Sequence, residues 1–117
     1  MNEDCKTICT ELERRGYKPF KPPDLPHFAY IEKAYQKRFD DNIGKKYFIE
    51  AYLYEDFELQ NGKTIRGGVE FDTQIMDKEN GCPINIRFFS GWSVDEVEER
   101  MESLFKSGRV RYYEKWL

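Results

Sequence analysis

The chain has 117 residues, a length that suits one domain around one core. Phe, Tyr and Trp make up 16% of it and charged residues 35%, with a net charge of −3. The aromatic content excludes a disordered chain, and the slight acidity weighs against a general nucleic-acid or anionic-membrane binder.

Residues 4 to 15 read as a short helix. Cys5, Ile8, Cys9 and Leu12 fall at i, i+3, i+4 and i+7, one buried stripe. Asp4 is placed to cap its start and Gly16 to end it in a left-handed conformation. Cys5 and Cys9 lie one turn apart with near-parallel side chains, which is poor disulfide geometry. With Cys82 they make three cysteines, and free thiols in a reducing cytoplasm are expected. The acidic start, Met1 to Cys5, lacks the apolar segment of a secretory signal, and no apolar run approaches the length of a membrane span.

Residues 17 to 27 carry Pro19, Pro22, Pro23 and Pro26, which rules out regular helix and central strand. This proline-rich strap is expected to cross in an extended form with Phe20 and Leu25 packed beneath it. Its Pro-x-x-Pro spacing from Pro19 to Pro22 is short and common by chance.

Residues 30 to 39 satisfy two patterns. Phe28, Ile31, Tyr35 and Phe39 make a helical stripe, whereas Ile31, Tyr35 and Phe39 also share one face of a strand. The turn formers Asp40 to Gly44 favour the strand, as the first arm of a hairpin. Residues 47 to 54 are the clearest strand. Tyr47, Ile49, Ala51 and Leu53 form one face; Phe48, Glu50, Tyr52 and Tyr54 form the other. Both faces are largely apolar or aromatic, unlike a strand with one side in water.

Residues 58 to 66 read as a polar connection around Asn61-Gly62. After Gly67-Gly68 a third strand follows, with Val69, Phe71, Thr73 and Ile75 on one face. A turn over 77–81 leads to a fourth strand at 84–88. Ser93 and Glu96 then form a capping box for a closing helix over 94–107, striped by Val94, Val97, Met101, Leu104 and Phe105. The aromatic tail, 110–117, is expected to pack as a short edge strand. The sum is an α+β domain spanning 1–117: a four-stranded antiparallel meander flanked by an N-terminal and a C-terminal helix, α-β-β-β-β-α.

The inventory for chemistry is thin. His27 is the only histidine, so the usual base–nucleophile pairs are unavailable in their common forms, and no Gly-x-Ser-x-Gly elbow occurs. Cys5, Cys9, Cys82 and His27 lack the paired Cys-x-x-Cys spacing of a zinc site. Asp40-Asp41-Asn42 lacks the later ligands of a calcium loop. Gly67-Gly68 follows no buried parallel strand and opens no helix, unlike a phosphate cradle. The acidic run from Asp95 to Glu102 lies opposite an apolar stripe and reads as a solvated helix face. No catalytic, cofactor-binding or metal-binding residue is expected, and the chain is not expected to be an enzyme.

What the sequence does offer is an aromatic strand face. Phe48, Tyr52 and Tyr54, joined by Phe20 of the strap and Trp116 of the tail, are the interface candidates, because such residues are typical of protein contacts. The expected function is a small cytoplasmic interaction module, an adaptor, inhibitor or accessory protein, with a protein partner and a homodimer through its sheet as one assembly. The alternative is a single-stranded nucleic-acid binder that stacks bases on the same rings, helped by Lys45, Lys46 and Arg87.

Overall fold

The computed structural model describes residues 1–22, 30–40, 46–77, 83–89, 91–108 and 110–112. Most of the strap beyond Pro22, the turns expected at 41–44 and 78–81, His27, Cys82 and Trp116 lie outside the described residues.

The first stripe folds as α1, Glu3–Arg14, burying Cys5, Cys9 and Leu12. Its cap is Asn2, not Asp4: the Asn2 side chain accepts a hydrogen bond from the Cys5 N–H at 2.9 Å. Asn2 wins because its amide also donates to the Gly67 carbonyl (2.8 Å) and to Asp56 (2.9 Å), tying the helix start to a distant loop. Gly16 does end the helix, with φ at +86°. Bonds from the Tyr17 N–H to Leu12 O and from the Gly16 N–H to Glu13 O close the turn. The closing helix, α2, spans Val94–Lys106 with the expected capping box complete and Val94, Val97 and Met101 buried.

The strands, in chain order, are β1 (Lys18–Pro19), β2 (Ile31–Asp40), β3 (Lys46–Tyr54), β4 (Phe57–Glu58), β5 (Thr64–Ile65), β6 (Val69–Asp77), β7 (Pro83–Phe88) and β8 (Val110–Tyr112). The main sheet is antiparallel in the order β1-β2-β3-β6-β7, and β8 pairs with β6. The four expected strands are therefore neighbours in chain order, and the ambiguous segment is strand, over Ile31–Asp40. The expectation of a four-stranded sheet needs correction. The start of the strap adds β1 as an edge, the tail forms a short strand, β8, as expected, and residues 57–65 form a separate hairpin, β4–β5, instead of a bare connection. These pieces are two or three residues long, too short to carry a period in the sequence.

Both helices cover one face of the sheet. Ile49, Ala51 and Leu53 of β3, Val69, Phe71 and Ile75 of β6 and Phe88 of β7 pack against Cys5, Cys9, Leu12, Val94, Val97 and Met101. Arg15 clamps the helices to each other. Its guanidinium reaches Glu11 (2.6 Å) on α1 and Glu98 (2.7 Å) and Asp95 (2.9 Å) on α2, while Lys37 of β2 donates to its carbonyl at 2.6 Å. The early acids of α2 are thus not all a solvated face.

One edge of β6 is shared. β3 pairs with its first half, through Glu50–Asp72, and β8 with its second, through Ile75–Tyr112. Where β3 departs, the buried Thr73 hydroxyl donates to the freed Phe48 carbonyl at 2.6 Å. That bond satisfies two buried polar groups at a fork in the sheet.

Gly67 fixes the entry to β6. A Cβ there would overlap the Tyr54 carbonyl oxygen and crowd Glu55, while the Gly67 N–H donates to Asp56 at 2.8 Å. The backbone cannot retreat without breaking these ties. Gly67→Ala is expected to lower stability in urea unfolding by about 2 kcal/mol or more, the scale of overpacking against a fixed backbone. An unchanged midpoint would show that this approach is not tight.

Candidate functional site: the open face of the sheet

The face of the sheet turned away from the helices carries the even-numbered side chains of β3 and β6. Register decides what meets there. Lys18 lies opposite Gln36, Gln36 opposite Glu50, Glu50 opposite Asp72, and Asp72 opposite Arg87. This is one unbroken row across five strands, with a cation at each end and two carboxylates side by side. In the next row Ala34 faces Tyr52 and Tyr52 faces Glu70.

Four of the interface candidates, Phe20, Phe48, Tyr52 and Tyr54, fall on this face but differ in access. Tyr52 is only 4% exposed. Phe20 packs on it edge-to-face, with ring centroids 6.0 Å apart, so the strap covers this ring. Phe48 is half-buried with the Arg38 guanidinium 5.0 Å over its ring. Tyr54 and Phe20 are half-buried. Trp116 lies outside the described residues. The rings form a framework for polar groups more than an open stacking surface.

Those polar groups are three carboxylates. The Tyr52 hydroxyl donates to Glu50, and the Tyr54 hydroxyl donates to Glu70 at 2.7 Å. Arg87 stands 3.6 Å from Glu70 and 3.4 Å from Asp72, long for charge-assisted bonds, and its own side chain is 52% exposed. Asp72 Oδ1 is buried and accepts no hydrogen bond among the described residues. Burial, and next the neighbouring Glu70 charge, push the Asp72 carboxyl up to about 6 from an ordinary 3.8. Burial also raises Glu50, against the opposing hydrogen bond from Tyr52. Both tyrosine hydroxyls are raised as well, by burial first and then by the acids they bond.

Where β3 splits from β6, this face opens into a cleft of about 180 Å³ lined by Phe48, Glu50, Asp72, Thr73, Gln74 and Asn85. That is smaller than the pockets that hold cofactors or drug-sized ligands. A single side-chain head group is the scale it suits. Among the described residues no group of three or more His, Cys, Asp or Glu is arranged around a common metal position. Cys5 and Cys9 are buried in the core, and burial raises the Cys5 thiol. A second set of exposed apolar side chains, Tyr30, Phe57 and Ile65, gathers at the β4–β5 hairpin, where the Tyr30 and Phe57 rings meet at 5.0 Å.

The rings of this face are visible in the sequence, but its carboxylates are not visible as a group. Glu70 and Asp72 share one face of β6 by simple alternation, but Glu50 lies far from them in sequence and only the β3–β6 register joins it to them. The available signals were Glu50 within an otherwise aromatic face and the alternation that puts Glu70 and Asp72 on the polar face of the third strand.

Asp72 makes the face pH-sensitive. Its folded carboxyl titrates above its unfolded value, so the associated stability is complete below about pH 3.8 and is lost as pH rises through about 6. Asp72→Asn removes this dependence. The variant is expected to melt above the wild type at pH 7 and above, by at most about 3 kcal/mol, and to lose that advantage near pH 4. A variant less stable than wild type throughout would show that Arg87 already compensates Asp72. Comparison with protein-family models, with curated proteins and with solved structures returns no match, so the geometry of this face carries the functional reading alone.

Proposed function

We propose that this chain is a small, non-enzymatic interaction module that binds a protein partner through the open face of its sheet. The observation that carries the reading is the set of half-buried carboxylates, Glu50, Glu70 and Asp72, held among aromatic rings, with the half-exposed Arg87, at 3.4 to 3.6 Å, as their one counter-charge among the described residues. Removing a carboxylate from water without a well-placed cation costs stability, and such strain on an accessible face marks a site awaiting its complement. The complement is a lysine or arginine of the partner, entering the cleft beside Phe48, with apolar groups against Phe20 and Tyr54.

The same carboxylates weigh against a single-stranded nucleic-acid platform, since they repel phosphate, and the cover over Tyr52 removes the ring best placed for stacking. Among the described residues no helix is long and apolar enough to cross a membrane. Two buried free thiols suit a reducing compartment, and a cytoplasmic setting is part of the proposal.

The test is affinity capture from the native host with wild-type protein and a Glu70→Gln/Asp72→Asn double variant. Losing charge-assisted bonds to a desolvated carboxylate is expected to weaken capture about tenfold or more. Wild-type capture should weaken as salt is raised and as pH falls through about 6, where Asp72 protonates. Capture of the same protein at equal strength by both forms would place the contact elsewhere. Binding of labelled single strands that strengthens in the double variant would favour the nucleic-acid alternative.

A further inference from the structure

The two edges of the main sheet are unlike. The β1 edge is two residues long and consists of Lys18 and Pro19. A lysine, and a proline with no N–H to offer, are the usual guards against strand pairing. At the other edge β7 runs for six residues, and among the described residues no strand pairs with its outer side.

The ladder shows which groups face out. The Tyr54 N–H bonds the Gly68 carbonyl at 2.9 Å, which makes Leu53–Val69 a non-hydrogen-bonded pair. Alternation from there turns the backbone groups of Phe71, Thr73 and Ile75 toward β7. Their partners Phe88, Ile86 and Ile84 answer them. The N–H and C=O groups of Asn85 and Arg87 therefore point outward, away from β6. The Phe89 carbonyl, next in that series, takes the Trp92 N–H at 3.4 Å. Asn85, Arg87, Phe89 and Trp92 are all exposed, Phe89 by 61%.

We propose that β7 pairs antiparallel with β7 of a second copy, about a two-fold axis at Ile86, so that two five-stranded paths join into one continuous sheet. This register sets Asn85 opposite the second copy's Arg87 in hydrogen-bonded pairs and Ile86 opposite itself, and it overlaps the strand from Ile84 to Phe88, leaving Pro83 at the margin. The neighbouring registers are worse. An axis at Arg87 puts two guanidinium groups directly opposite each other. An axis at Asn85 puts Arg87 opposite Pro83, which has no N–H to return. β7 holds no other charge, so no like charges are directly opposed in the chosen register. The two-fold stands perpendicular to the sheet, which leaves both helix layers on one side and both open faces on the other.

The measurement is mass by sedimentation equilibrium for the wild type and for Asn85→Pro. That substitution removes an outward N–H and none of the bonds to β6. The wild type is expected to have twice the chain mass at high micromolar concentration, and Asn85→Pro the mass of one chain with an unchanged circular dichroism spectrum. Ile86→Cys provides the second arm, because directly opposed non-hydrogen-bonded pairs lie within disulfide reach. It is expected to form a covalent dimer on mild oxidation. A wild type that stays monomeric at all concentrations overturns the proposal. So does a dimer that Ile86→Cys does not cross-link, whatever Asn85→Pro does. Asn85 also lines the open-face cleft, so partner capture is measured on the wild type and on reduced Ile86→Cys, whose substitution lies on the helix side of the sheet. Capture without a dimer, or a dimer without capture, separates failure of the dimer from failure of the proposed function.

Discussion

The pairing of β3 with β6 is the constraint on which the rest of the structure depends. It is only four residue pairs long, from Glu50–Asp72 to Leu53–Val69. On one side those pairs bring Ala51, Leu53, Val69 and Phe71 together as the floor on which both helices rest. On the other side the same pairs bring Glu50, Asp72, Tyr52 and Glu70 together. A shift by one residue would exchange the two sets, burying acids under the helices and exposing the core. The apolar side fixes the register, and the acidic cluster follows from it.

The short ladder also explains the cleft. Because β8 occupies the second half of the β6 edge, β3 must leave after Glu50, and the sheet forks. The Thr73–Phe48 bond closes the fork on the core side, leaving its other side open between Phe48 and Gln74. Nothing comparable to the helix layer covers this face among the described residues; Phe20 protects only Tyr52. A strand that is apolar or aromatic on both sides is thereby served unequally. One side is filled by helices, the other by rings that hold acids.

The helices and long strands were legible in the sequence because each repeats its pattern over two turns or more. The Ser93–Glu96 box and the stripe through Val94, Val97 and Met101 needed no tertiary information. The Asn2 cap was not legible, because its advantage over Asp4 comes from Gly67 and Asp56, more than fifty positions away. β1, β4 and β5 escaped for lack of length, whereas the aromatic tail did signal the short strand β8. At the site, alternation along β3 placed Phe48, Tyr52 and Tyr54 on one face correctly. It gave no hint that Phe20 would lie over Tyr52 or that Asp72 would stand opposite Glu50, since both depend on register and chain crossing.

In the proposed function Asp72 sits in the free protein without an adequate cation, leaving the open face incomplete. Carbon-detected NMR titration of the side-chain carboxyls measures this directly. Asp72 is expected to titrate near 6 in the free protein. A midpoint at or below its ordinary 3.8 would mean that Arg87 already completes the site, and the open face would then have no unmet charge to offer a partner.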